Sequence, residues 1–344
     1  MRRFIAVDSG KSQTKVAYLT EEFLASDMKD TTNAIAVTSF RTAFENNATF
    51  EDDEPGNGTF IVEFEGNVYK VGKTARQDAA LDSTKKTLIH KLCTMLSIAR
   101  ICSAQAVDEV SVSIGIPIDL YSVVKDRNEY RDFIAPIGEH SVTYRDLDGT
   151  IVTKTFRIVQ HFVCPESIGA IFETDYAGLV GVIDIGHLNV NMTVYSSGDI
   201  DANKQKTTTK GINYLVSSLT QQLSSQLQAQ IDNRTTITTI SRPEKTLRSV
   251  NRPNPKAEEL SHKIIVDGIN DYIRDMLEDL KSKNWAIDYM NIVVIGGGAA
   301  LLKNELKSVL GEGIVIPDNS TFTNAIGFLA LMCGKSETLH IKLV

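Results

Sequence analysis

Two short stretches of this chain share one layout. Asp8-Ser9-Gly10-Lys11-Ser12-Gln13 and Asp184-Ile185-Gly186-His187-Leu188-Asn189 each place an aspartate two residues before a glycine. Each also lies between runs of strand-forming residues, Phe4 to Val7 and Thr14 to Leu19 around the first, Leu179 to Ile183 and Val190 to Tyr195 around the second. A tight turn of this kind can bind phosphate, because successive backbone N–H groups line an anion-sized concavity and glycine lets the backbone come close. The candidate donors are Ser9, Gly10, Lys11 and Ser12 in the first turn and Gly186, His187, Leu188 and Asn189 in the second. An aspartate closing the preceding strand can hold the water shell of Mg²⁺, and Asp8 and Asp184 are so placed. A single Asp-x-Gly is explained as well by an ordinary Asx turn; the repetition gives the pair its weight.

A third glycine motif follows the strand Asn291 to Ile295: Gly296-Gly297-Gly298, running on through Ala299 and Ala300 to Leu301. Three glycines opening a helix allow close backbone approach to a nucleoside, with the helix N-terminus toward phosphate; a plain turn is the competing reading. Contiguous glycines are not the GxGxxG dinucleotide fingerprint, and the chain has no GxxxxGK[ST] loop.

The elements that must position these residues read as a mixed α/β chain. Val110 to Ile116 is a strand, Asp148-Gly149 turns between Val142-Thr143-Tyr144 and Ile151 to Phe156, and Thr87 to Arg100 has helical spacing. The stretch Phe44 to Lys73, with a hairpin near Gly66-Asn67 and the acidic run Glu51-Asp52-Asp53-Glu54, reads as a small inserted subdomain whose acidic run is a solvated loop. Helical spacing returns over Ile212 to Ile231 and Glu258 to Leu280, separated by an irregular connection carrying Pro243, Pro253 and Pro255. Gly313 to Ile316 reads as a last short strand and Asn324 to Met332 as a last helix.

At 344 residues the chain accommodates two domains, and the Asp-x-Gly hairpins at positions 8 and 184 are spaced for two copies of one domain. The net charge of -7 argues against broad direct binding of nucleic acid, which wants clustered lysine and arginine. Cys93, Cys102, Cys164 and Cys333 have no metal-site or CxxC spacing and read as small buried hydrophobes. No leader-like apolar core follows Met1, no apolar run nears the roughly 20 residues of a membrane helix, and the tail Ser336 to Val344 is short and alternates like a strand. A cytoplasmic protein without a membrane partner is the expectation.

The order of first phosphate loop, Val163-Cys164-Pro165-Glu166-Ser167-Ile168-Gly169-Ala170, second phosphate loop, Gly296-Gly297-Gly298 and Thr323-Asn324-Ala325-Ile326-Gly327-Phe328 resembles the actin, Hsp70 and sugar-kinase superfamily. Within it, Asp8 to Lys15, Gly115-Ile116-Pro117, Lys210-Gly211-Ile212-Asn213-Tyr214-Leu215 and Ile295 to Ala299 resemble the ParM group of plasmid-segregating actins. The resemblance implies a duplicated, ribonuclease H-like α/β fold: domain I over 1–165 plus 320–344, with a subdomain at about 35–100, domain II over 166–319, and a nucleotide cleft between them. It further implies an ATPase, with ATP or GTP as substrate and Mg²⁺ held through water by Asp8 and Asp184.

By the same resemblance Glu166, opening a connecting helix, orients the attacking water, and Asp184 serves catalysis with it. Lys15 reaches phosphate, and Gly211, Gly296, Gly297, Gly298 and Leu301 border the adenosine. Filaments of the chain itself and a DNA-binding adaptor on a plasmid site are the implied partners. The second loop departs from the family pattern, since His187, Leu188 and Asn189 stand where Gly and Thr are usual. Rival readings are a small-molecule kinase of the same fold, a membrane-tethered relative, and a nucleotide-binding adaptor that does not polymerise.

Overall fold

The computed structural model describes residues 3–20, 34–51, 58–78, 85–174, 178–249 and 253–335. Asp52, Asp53 and Glu54 of the acidic run, and the tail from Ser336, lie outside the described residues. The chain forms two compact units, residues 1–169 with 322–344, and residues 170–321.

The first unit is built on β1 (Arg3–Ser9), β2 (Gln13–Leu19), β3 (Ile35–Arg41), β4 (Ala43–Asn46), β5 (Thr59–Phe64), β6 (Asn67–Gly72) and β7 (Gln77–Asp78). Helix α1 (Leu88–Ala104), β8 (Glu109–Ile116), α2 (Ile118–Tyr121), α3 (Val124–Ile134), β9 (Gly138–Arg145) and β10 (Ile151–Pro165) complete its first passage. One ten-stranded sheet results, in the order β3-β2-β1-β8-β10-β9-β5-β6-β4-β7. Its centre, β1-β8-β10, is parallel, with Ile5 beside Val112 and Phe162 beside Ser113. Central parallel strands are covered on both faces: Phe4 to Val7 is an unbroken apolar run, and in β8 the alternating Ser111 and Ser113 are buried along with Val110, Val112 and Ile114. Helix α1 covers one face with Leu92, Met95, Leu96 and Ala99, all fully buried against Ile5, Val7, Val112 and Ile114.

The second unit has β11 (Leu179–Ile185), β12 (Val190–Ser196), β13 (Asp199–Thr208), α4 (Ile212–Leu227), α5 (Asn233–Ile240), α6 (Pro255–Ser282), β14 (Asn291–Ile295), α7 (Gly297–Leu301) and α8 (Lys303–Leu310). Its four-stranded sheet runs β13-β12-β11-β14, with β14 parallel to β11. Leu215, Leu219 and Leu223 of α4 and Ile265, Ile269 and Ile273 of α6 pack on Ile183, Ile185, Met192 and Val194. A closing helix, α9 (Thr323–Lys335), returns to the first unit and packs on β1, β2 and β8. There the Phe328 ring occupies the space a Cβ on Gly115 would need.

Several boundaries differ from the sequence reading, each for a local reason. Helix α4 stops at Leu227 because Gln228 turns left-handed, at φ 49°. Helix α5 went unread: its Thr- and Ile-rich sequence has low helix propensity, and the capping Asp232, which accepts from Thr235 N at 2.7 Å, starts it. Pro255 opens α6 earlier than expected, behind an Asn254 cap. The expected strand Gly313 to Ile316 is reduced to one bridge, Val293 to Val315. The helix expected after Glu166 is a 3₁₀ segment, Ile168–Glu173, preceded by Ser167 at φ 71°. All four cysteines are free and buried, and burial pushes the thiols of Cys93, Cys102 and Cys333 up to about 12. Among the described residues no helix is long and apolar enough to cross a membrane.

Candidate functional site

Both Asp-x-Gly stretches are hairpins, tighter than the sequence suggested. Asp8 and Ser9 belong to β1 and Asp184 and Ile185 to β11, so each aspartate sits inside its strand. The two then match position for position. Gly10 N donates to Gln13 O at 3.0 Å and Gly186 N to Asn189 O at 2.9 Å. Asp8 faces Lys15 across the first ladder as Asp184 faces Asn191 across the second.

Around the first hairpin the surroundings are polar side chains. Lys15 Nζ lies 3.4 Å from Asp8 Oδ2 and Lys85 Nζ 3.8 Å from Oδ1, so each oxygen of a buried carboxylate has its own cation. Burial pushes the Asp8 carboxyl up, but Lys15 and Lys85 pull it down further and it stays below its ordinary value. Behind it, Ser9 Oγ contacts His90 Nδ1 at 3.0 Å and Thr14 Oγ1 at 3.2 Å, and Thr14 reaches Thr42 at 2.9 Å. This chain of hydroxyls is buried, and it ties Ser9 to the first turn of α1. Lys11 and Ser12 are half-buried at the tip, where Ser12 O accepts from Thr42 N at 2.9 Å.

Glu166 follows β10 directly and belongs to the same cluster. Its N–H donates to Ile116 O at the end of β8, at 2.9 Å, and its carboxylate Oε1 accepts from Lys85. Ser167 N donates to Asn324 Oδ1 of α9 at 2.9 Å, which holds the left-handed turn. Asp8 and Glu166 therefore stand at or just past the C-terminal ends of parallel strands, where open α/β sheets place ligands. Burial works against the Lys85 ammonium, yet Glu166 and Asp8 hold its pKa above the ordinary lysine value. The same burial raises the Tyr130 phenol, against the pull of Lys85. Sequence reading missed Lys85 and His90, because a lysine to be buried looks no different from the solvated Lys86 beside it.

The second hairpin is held by backbone. The carbonyls of Gly186, His187 and Leu188 accept from Ile212, Asn213 and Gly211 at 3.1, 2.9 and 3.0 Å, so the loop is seated on the start of α4. Gly211 is required there: a Cβ would come within 2.5 Å of His187 O. The three glycines at 296–298 do different things. Gly296, at φ 91°, leaves no room for a Cβ, which would lie 2.6 Å from Asp184 Oδ1; Gly298 packs on the Ile185 side chain; Gly297 is exposed with nothing near it. The helix they open is only five residues long, and Leu301 at its end is half-buried against the core of its unit. His187 is exposed.

Among the described residues no group of three or more His, Cys, Asp or Glu side chains could hold a metal directly. Each unit carries one strand-end carboxylate in its hairpin, Asp8 in the first and Asp184 in the second, and a lone carboxylate suits an ion keeping most of its own waters, as Mg²⁺ does. For Asp8 the fit carries a condition: the carboxylate already has two ammonium neighbours.

Residues 6–169 match the family model of the actin like proteins N terminal domain. No curated protein gives a significant sequence match. Among solved structures, an Alp12 filament structure is 21% identical at a TM-score of 0.70, covering 97% of this chain and 99% of that one. The native crystal structure of Ta0583, an archaeal actin homolog, is 14% identical at 0.68, covering 96% and 99%. Bacillus thuringiensis ParM with ATP is 15% identical at 0.66, covering 95% and 97%. Identities this low bear on the fold alone, a mixed α/β architecture with two sheets. Residues 6–169 thus share the N-terminal domain of the actin like proteins, and the chain shares the fold of actin homologues over nearly its full length.

Proposed function

We propose that this chain is a nucleotide-dependent ATPase that assembles into filaments, driving plasmid DNA segregation through an adaptor bound to the DNA. The observation that carries the nucleotide reading is the pair of matched hairpins, each with an aspartate ahead of a glycine-opened turn. Two phosphate-binding turns in one chain suit a polyphosphate ligand better than a single anion. In this reading the backbone of Ser9 to Ser12 and of Gly186 to Asn189 binds phosphate, Lys15 adds a positive charge, and Gly211, Gly296, Gly297, Gly298 and Leu301 border the nucleoside. Asp8 and Asp184 would hold Mg²⁺ through its waters; when bound, the ion neutralises phosphate charge.

Phosphoryl transfer to water needs positioning and electrostatics more than covalent chemistry. Glu166 supplies the positioning, by accepting a hydrogen bond from the water that attacks the γ-phosphate. Its backbone is tied to β8 and its neighbour Ser167 to α9, so the carboxylate sits on a rigid base. The filament reading is supported by the likeness to the Alp12 filament structure.

The test is sedimentation at tens of micromolar protein. The expected result is pelleting with Mg-ATP or Mg-GTP and a soluble protein without nucleotide. Unchanged sedimentation with every nucleotide, despite tight binding, would leave a nucleotide-binding adaptor; nucleotide consumption only with an added sugar or acetate would leave a kinase.

A further inference from the structure

Lys85 is buried between two carboxylates, and the chemistry above gives it no part. Its ammonium lies 3.8 Å from Asp8 Oδ1 and bonds Glu166 Oε1, with the side chain 7% exposed. A lysine held this far from water loses most of its hydration, so it persists only where specific partners replace that hydration. Asp8 already has Lys15 on its other oxygen, and the closer contact of Lys85 is with Glu166. The helix that follows it is anchored: Lys85 lies three residues before α1, and His90 in the first turn of α1 bonds Ser9 Oγ at 3.0 Å. The ammonium is therefore presented from just ahead of a helix tied to the first hairpin.

We infer that Lys85 is a positioning residue for nucleotide hydrolysis: by holding Oε1 it sets the plane of the Glu166 carboxylate, and with it the place where that group holds water. The inference rests on the water-orienting role proposed for Glu166. It makes Lys85 a determinant of turnover and not of nucleotide affinity, and it makes the effect of Lys85 conditional on Glu166.

The experiment compares wild type, Glu166→Gln, Lys85→Met, the double variant and Lys85→Arg in two measurements, phosphate release at saturating Mg-ATP and affinity for a fluorescent ATP analogue. Lys85→Met is expected to lower kcat by about 10- to 100-fold, with affinity changed by less than about threefold. In the Glu166→Gln background the same substitution should cost less than about twofold, and Lys85→Arg should recover part of the rate. A folded Lys85→Met with wild-type kcat, a loss confined to affinity, or a double variant that multiplies the single losses would each overturn the inference. Should Lys85→Met not fold, the double variant against Glu166→Gln and Lys85→Arg against wild type carry the same comparisons, since the double variant removes both charges of the pair. Wild-type turnover in Glu166→Gln would instead overturn the role of Glu166, and the inference with it.

Discussion

The two hairpins share one backbone layout and lean on different neighbours. The first is fastened by side chains: two lysines on Asp8, a histidine and two threonines behind Ser9. The second is fastened by main chain: three loop carbonyls on the start of α4 and a left-handed glycine against Asp184. One turn geometry, closed by the same glycine-to-carbonyl hydrogen bond, can thus be kept in place by charge or by shape. Charge fails when a partner is removed or titrated, whereas shape fails when an atom is added.

The sharpest way to break this contrast is Lys85→Met, which leaves Asp8 and Glu166 buried with one cation fewer. Removing one partner of a buried pair costs about 3–5 kcal/mol, and urea denaturation should read a loss of that order. Hydrogen exchange should show the loss concentrated at the first hairpin.

Acid should do the same more gently. Asp8 has its pKa lowered on folding, so its contribution is complete above the unfolded value of 3.8 and is lost as pH falls through the lower folded value. Lys85 has its pKa raised, so its contribution is complete below 10.5 and is lost only as pH rises through the higher folded value. Protection of the first hairpin should accordingly fall below about pH 4, as the contacts of Asp8 with Lys15 and Lys85 are lost. Unchanged protection there between pH 7 and 3 would remove the part assigned to charge.

Adding an atom tests the other side. Gly211→Ala puts a methyl group against His187 O, Leu188 C and Asn189 N, and overpacking of this kind costs about 1–3 kcal/mol. The expected readout is faster exchange across residues 186–189 with the first hairpin unchanged. Ser9→Ala should cost about 1–2 kcal/mol by removing the hydroxyl shared by His90 and Thr14. The smallest effect belongs to Asn191→Ala, at the position that Lys15 holds in the first hairpin, where the half-buried Asn191 Oδ1 accepts from Thr207 Oγ1 at 3.0 Å; a loss of at most about 1 kcal/mol is expected. A larger change would give the second hairpin a side-chain support after all.

This contrast also marks what the sequence could tell. The hairpins were legible because alternation, glycine and aspartate are local signals, whereas the parallel pairing of β1, β8 and β10 was not, since the Val-Ser alternation of β8 reads like a strand with one solvated face. The turns were read two residues too long at their starts, since Asp8 and Ser9, and Asp184 and Ile185, continue a ladder that only pairing defines. Gly296, Gly297 and Gly298 looked like one motif, yet each answers to a different neighbour brought there by the fold. Lys85 and His90 left no trace, because their partners are about 80 residues away in sequence (81 in each case) and nothing local distinguishes a buried lysine. Helix α5 was hidden for the opposite reason: its β-branched residues argue locally for a strand, and the capping Asp232 together with packing overrides them.

One contact in the first unit has a consequence for inheritance. Where α9 crosses the turn after Glu166, Gly327 and Gly169 meet backbone to backbone, and a Cβ on Gly169 would strike the main chain of Thr323. No side chain can be fitted at either position by repacking, because the obstacles are themselves main chain. Selection therefore has no conservative exchange to offer there, and the codons for Gly169 and Gly327 should accept nothing else in a saturation library. The polar cluster around Glu166 can drift one compensated change at a time, but the crossing that carries it has to be passed on intact.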